Sequence, residues 1–135
     1  MDGVIVDSES RHAHAFFEVM RELGYGETHG VDWADYVGRS DHDLWADFIA
    51  RHEPTQSLEQ LLKLKRDRVL AIIHQDQPVY AGLTELVEKL ARICRLGLAS
   101  GSDRPVVEAV LSLRELRRHF SATVSVSEVH RGKPD

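Results

Sequence analysis

Between Leu83 and Ser127 the apolar residues change period repeatedly, and that alternation limits the fold more than any other feature of the chain. Leu83, Leu86, Val87, Leu90 and Ala91 recur at helical spacing, and Arg95 to Ser100 is then a short apolar run. Val106, Val107, Val110 and Leu111 return to helical spacing behind Asp103-Arg104-Pro105, and Ala122 to Ser127, preceded by Phe120, reads as a second strand. Pro105 suits a first helical turn, where a missing N–H removes no intrahelical bond. Helix, strand, helix, strand predicts an α/β architecture with a parallel sheet, because a chain that crosses over through a helix re-enters the sheet in the same direction.

The front half follows a different pattern. Ala13, Phe16, Phe17, Met20 and Leu23 share a helical face that ends at Gly24 and Gly26. Asp43 to His52 places Leu44, Trp45, Phe48 and Ile49 on one side, and Leu58 to His74 brings Leu61, Leu62, Lys65, Val69, Ile72 and Ile73 near one stripe, with Pro54 and Pro78 outside it. Three helices without an intervening strand predict a separate helical unit, with Trp33 and Trp45 packed inside it. Ahead of them, the β-branched run Val4-Ile5-Val6 is predicted to be a strand.

Composition narrows the function classes. With 135 residues, 42% hydrophobic and 29% charged, the chain has the length of one domain and enough apolar material for a modest core. Its formal charge of −5, with Lys and Arg scattered among Asp and Glu, forms no basic stripe and argues against nucleic acid as a partner. No apolar run approaches the roughly 20 residues that cross a bilayer, so no membrane partner is expected. The single cysteine, Cys94, excludes an intramolecular disulfide and a cysteine-rich metal site, which suits a reducing cytoplasm. The eight histidines show no zinc-binding spacing; His12 and His14 lie too close along a helix to share a face.

Chemistry concentrates at turns. Ser100-Gly101-Ser102 joins a strand end to a helix start, where free backbone N–H groups and the positive end of the helix dipole favour an anion. Gly101 permits close approach of the backbone, and the Ser100 hydroxyl can donate to a phosphoryl oxygen. Taken alone, the same residues are read first as an ordinary turn with Ser102 or Asp103 as N-cap. Asp2 beside Gly3 alone describes a turn-former, and Lys133 a solvated loop charge.

Three segments together resemble a known family. Met1-Asp2-Gly3-Val4-Ile5-Val6-Asp7-Ser8-Glu9 is similar to the first motif of the haloacid dehalogenase superfamily, in the branch of β-phosphoglucomutase-like phosphatases; Leu98-Ala99-Ser100-Gly101-Ser102 resembles its second motif, and Arg131-Gly132-Lys133-Pro134-Asp135 its third. The resemblance implies a Rossmann-like parallel core, residues 1–10 and 80–135, interrupted by a helical cap, residues 11–79. It also implies Mg²⁺ as cofactor, a small phosphorylated metabolite as substrate, and hydrolysis through an aspartyl-phosphate. Asp2 matches the second Asp of the family's D-x-D-G, the general acid/base whose backbone carbonyl helps hold the metal. Ser100 and Gly101 match the phosphate grip, and Lys133 the lysine that stabilises the transferring group.

The nucleophilic Asp of that pattern falls immediately before Met1, and the fourth-motif acidic pair beyond Asp135. The resemblance therefore implies a chain clipped at both ends and impaired as it stands. In the cap, Asp7-Ser8-Glu9 resembles the hinge and Gly38-Arg39-Ser40-Asp41 the substrate-facing loop, with Asp41 where the mutases carry Arg. His12 and Lys65 match mutase positions, against readings as an exposed polar residue and a snorkelling lysine stem. A carboxylate at position 41 favours a phosphatase over a phosphomutase, since a mutase must grip a second phosphate. A phosphomutase and a noncatalytic remnant are the alternatives.

Overall fold

The computed structural model describes residues 1–129. Along them come α1 (Glu9–Glu22), α2 (Asp41–His52), α3 (Leu58–Asp76), α4 (Leu83–Ala91), β1 (Leu96–Ser100), α5 (Arg104–Ser112) and β2 (Phe120–Ser125), with short 3-10 segments between several of them. The chain divides into two compact units, Arg11–Val69 and the combination of Met1–Ser10 with Leu70–Asp135.

The unit Arg11–Val69 is helical and closes on an aromatic core. Helix α1 turns Ala15, Phe16, Val19 and Met20 inward, and Glu9 in its first turn with Arg21 in its last complements the helix dipole. Helix α2 opens at Ser40, whose hydroxyl accepts the N–H of Asp43 at 3.2 Å, and it buries Leu44, Trp45 and Phe48. It closes at Glu53, held at φ 45°, whose N–H returns to the carbonyl of Ile49. The Phe16 ring lies 5.3 Å from Trp45 and 5.8 Å from Trp33, and Phe48 lies 5.7 Å from Trp45 and 5.0 Å from Tyr25. Val19, Met20, Val31 and Leu61 fill the space around these rings. Deleting one such buried ring costs about 3–5 kcal/mol, so this cluster is the main source of the unit's stability.

In the other unit β1 and β2 pair in parallel, with Leu98 opposite Thr123, Ala99 opposite Val124 and Ser100 opposite Ser125. Helix α5 makes the crossover between them and buries Val106, Val107, Val110 and Leu111; Leu113 and Leu116 continue that apolar surface through the 3-10 segment Leu113–His119. Strand alternation puts Gly97 and Ala99 with Ala122 and Val124 on an exposed face and turns Ser100 and Ser125 inward. Helix α4 buries Val87 but leaves Leu86 and Leu90 exposed, as is Ile93 just beyond its end.

The protein is thus an α/β fold with a parallel sheet and an inserted helical segment. Two local expectations need correction. Val4-Ile5-Val6 is not a strand: Gly3, at φ 67°, turns the chain, the N–H groups of Val4 and Ile5 return to the Met1 carbonyl, and Gly3 N–H donates to Val6. Only single bridges, Asp2 to Val6 and Val6 to Val79, remain of β pairing there. The second strand spans Phe120–Ser125 and does not reach Ser127, because the Ser125 hydroxyl and the Glu128 carboxylate form a capping box that starts a 3-10 turn at Val126.

Candidate active site

The turn at residues 3–6 brings Asp2 against the end of β1. One carboxylate oxygen of Asp2 accepts the hydroxyl of buried Ser8 at 2.5 Å, and the other accepts the hydroxyl of Ser102 at 2.8 Å. Ser102 in turn donates its backbone N–H to the Ser100 hydroxyl oxygen at 3.1 Å. Three segments therefore meet through hydroxyl bonds: the Asp2 turn, the adjoining approach to α1 and, from 100 positions away, the loop after β1. This junction sits at the carboxyl ends of two parallel strands, the place where open α/β sheets collect ligands.

Ser100 is buried, and a hydroxyl that accepts one hydrogen bond still carries a proton to donate. Gly101 is exposed, and a methyl group added there would meet no atom within 4 Å. The loop therefore faces open space at the glycine. Asp103 occupies the N-cap position of α5 without a side-chain bond to that helix. Instead the hydroxyl of Ser127, beyond β2, accepts the N–H of Arg104 at 3.2 Å. Of the two cap candidates, Asp103 holds the N-cap position without a capping bond from its side chain, and the Ser102 hydroxyl is directed to Asp2.

The other candidates lie within Arg11–Val69. The Arg39 guanidinium stacks 4.9 Å from the centre of the Tyr36 ring and lies 3.4 Å from Asp47, whose carboxylate also accepts the Tyr36 hydroxyl at 3.0 Å. Burial first, then that hydrogen bond, raises the Tyr36 phenol above its ordinary value. Lys65 does not snorkel. It is 1% exposed, its ammonium is paired with Asp41 at the start of α2, and it lies 5.2 Å from the centre of the Trp33 ring. The side chain of Asp41 is the accessible member of that pair. His12 is half-buried on α1. Lys133 lies outside the described residues.

Sequence reasoning did not identify Ser8 and Ser102 as the donors that orient Asp2. Ser8 stands six residues from Asp2, but Ser102 reaches it across 100 positions, a separation that only the folded chain closes. Among the described residues no group of three or more His, Cys, Asp or Glu is arranged to hold a metal ion. No described helix is long and apolar enough to cross a membrane.

The fold is that of an α/β protein with a parallel sheet and an inserted helical segment, and similarity to known proteins gives its family. Residues 1–135 match the haloacid dehalogenase-like hydrolase family throughout, and the chain belongs to it. It is 28% identical over 142 residues to hexitol phosphatase B of Escherichia coli K12, covering 99% of this chain and 61% of that protein. An uncharacterized protein of Haemophilus influenzae is 24% identical over 135 residues, covering 99% of this chain and 66% of its own length. The chain thus spans about three fifths of the hexitol phosphatase. The crystal structure of a putative β-phosphoglucomutase from Thermotoga maritima shares the fold with a TM-score of 0.70 at 22% identity, covering all of this chain and 62% of that one.

Proposed function

We propose that the protein is a Mg²⁺-dependent phosphatase of small phosphorylated metabolites, sugar or hexitol phosphates among them, acting through an aspartyl-phosphate in the cytoplasm. The observation that carries this reading is the Asp2–Ser102–Ser100 chain of hydrogen bonds, which sets an acid/base carboxylate beside an anion-binding loop. The cap is assigned to residues 11–79 and the core to residues 1–10 and 80–135.

In this reading the nucleophile is the Asp that the family places one residue before the position of Met1. Its carboxylate oxygen forms a bond to phosphorus as the bond to the leaving oxygen breaks, and the Asp2 carboxyl delivers the proton that oxygen needs. Asp2, now ionised, takes a proton from water, whose oxygen attacks phosphorus as the bond from phosphorus to the nucleophile's oxygen breaks, releasing inorganic phosphate and restoring the nucleophile's carboxylate. The Ser8 and Ser102 hydroxyls keep Asp2 pointed at that position through both steps. The Ser100 hydroxyl and the Gly101 and Ser102 backbone hold the phosphoryl oxygens, and Lys133 stabilises their charge.

The oxygen-only donors around Asp2 suit Mg²⁺, which prefers oxygen and keeps several waters. Asp2 would hold it through a main-chain oxygen, with the family's fourth-motif carboxylates completing the set. The ion, when bound, neutralises charge on the phosphoryl oxygens. The Asp41–Lys65 pair favours phosphatase over phosphomutase: the mutase-like lysine is already neutralised within the helical unit and offers little to a second phosphate.

The test is a phosphate-release assay on the protein translated from its whole reading frame, with β-glucose 1-phosphate and a hexitol phosphate as substrates. Free phosphate without glucose 6-phosphate is expected, and Asp2→Asn is expected to slow turnover by about 10²-fold or more. Production of glucose 6-phosphate would instead favour the mutase. Phosphate binding without turnover by the folded protein would favour a noncatalytic role.

A further inference from the structure

The loop after β1 is tied to the end of β2 by one arginine. Arg104, the first residue of α5, stands two positions beyond Ser102. One terminal nitrogen of its guanidinium donates to Glu108 at 2.9 Å and to the Thr123 hydroxyl at 2.8 Å. The other donates to the Thr123 carbonyl at 3.3 Å and to both carboxylate oxygens of Glu128. Glu128 accepts the backbone N–H and the hydroxyl of Ser125, each at 2.8 Å. Ser125 is the register partner of Ser100, and Val126 N–H returns to the Ser102 carbonyl at 3.3 Å.

These contacts close a ring from Ser100 across the strands to Ser125, through Glu128 to Arg104, and back along the chain to Ser102. A cation in the first turn of a helix is opposed by the helix dipole, so beyond its i,i+4 pair with Glu108 Arg104 gains little from α5 itself. Its terminal nitrogens are engaged by carboxylates and by β2. The fork geometry permits this many directed bonds at once, and a lysine ammonium does not reproduce them.

We infer that Arg104 and Glu128 form a positioning clasp that holds the Ser100–Ser102 loop in register with the carboxyl end of β2 and thereby sets its anion-binding geometry. The inference rests on the phosphate-loop reading above. Preorganised N–H and O–H donors are effective only when held in place before the anion arrives, and displacement by an ångström forfeits much of their effect. The clasp keeps the backbone of Gly101 and Ser102 fixed although the loop faces solvent.

The experiment follows the amide resonances of Gly101 and Ser102 in the 135-residue chain during titration with inorganic phosphate, for the parent, Arg104→Gln, Arg104→Lys and Glu128→Gln. Glu128→Gln preserves shape and most of the capping bonds, so it guards against simple unfolding. Loss of one charge-assisted bond of this kind is expected to weaken phosphate binding about tenfold. Val126 amide exchange should accelerate in the same variants while amides of α4 stay unchanged, and Arg104→Lys should not restore affinity. Variants that melt earlier yet bind phosphate as the parent does would overturn the clasp and leave a structural ion pair. A parent whose loop amides ignore phosphate would overturn the phosphate-loop reading, and this inference with it.

Discussion

The carboxyl of Glu128 is lowered from its ordinary value of 4.5 to about 2, chiefly by the Arg104 guanidinium and then by the backbone N–H and hydroxyl of Ser125. A depressed folded-state value means that the folded protein binds fewer protons than the unfolded chain below neutrality. The stabilisation is therefore complete above pH 4.5 and is lost as pH falls through about 2. The difference in urea midpoint between the parent and Glu128→Gln should be constant from neutral pH to about that upper limit and shrink below it. A difference that grows on acidification would contradict the assignment. Because the pair meets solvent, the effect should also weaken with salt.

Lys65 makes a second residue-scale case. Its ammonium is buried and its partner Asp41 is not, so the two halves of the pair are unequal. Asp41→Ala leaves a buried charge without its counter-ion and is expected to cost about 1–3 kcal/mol. Lys65→Met leaves only an exposed, hydrated carboxylate and should cost less. Urea unfolding followed by tryptophan fluorescence orders the two, and equal losses would mean that the ammonium reaches water in solution. The helical spacing of Lys65 was legible in the sequence, but its burial was not, since Asp41 stands 24 positions away and only the packing of α2 against α3 supplies the counter-ion.

At the scale of the element, α2 shows what local sequence reveals and what it conceals. Its apolar face, Leu44, Trp45 and Phe48, was legible from periodicity, but the helix begins at Asp41, two residues before the expected start, because the Ser40 hydroxyl caps the Asp43 N–H. Ser40→Ala should therefore destabilise the protein by about 1 kcal/mol, and Ser40→Gly by only a few tenths, in thermal or urea unfolding. Equal losses would point to a role for the hydroxyl beyond capping. The opening segment went the other way. Val4-Ile5-Val6 has strong β propensity, yet with no described neighbour strand to pair along its length it bends at Gly3 into a turn, and propensity yields to hydrogen-bond supply. The same turn carries Asp2 to Ser102, so the misread element is the one that builds the candidate site. Its motif was readable as a resemblance, whereas the Ser102 donor depends on a contact across 100 positions that no local pattern encodes.

At the scale of the whole chain, the two units differ in how completely they bury their apolar surface. In Arg11–Val69 the Phe16, Trp45 and Phe48 side chains are fully enclosed, and Val19, Met20 and Leu61 surround them. In the sheet-bearing unit one face of the β1–β2 pair is open, Val124 is 44% exposed, and Leu86 on α4 and Ile93 just after it are 52% and 80% exposed. Burial of apolar area contributes about 25 cal/mol per Å², so the enclosed unit should resist opening more strongly than the unit that leaves such area in water. Native-state amide exchange tests the difference directly. The amides of Phe16, Trp45 and Phe48 are expected to exchange only through the largest opening event, while those of Leu98 and Val124 exchange earlier, through a smaller one. Slower exchange in β1 and β2 than in α1 and α2 would sink this ranking. It would mean that the two paired strands draw stability from contacts that their exposed face does not reveal, self-association through the open sheet face and α4 being the source that a concentration series would then expose.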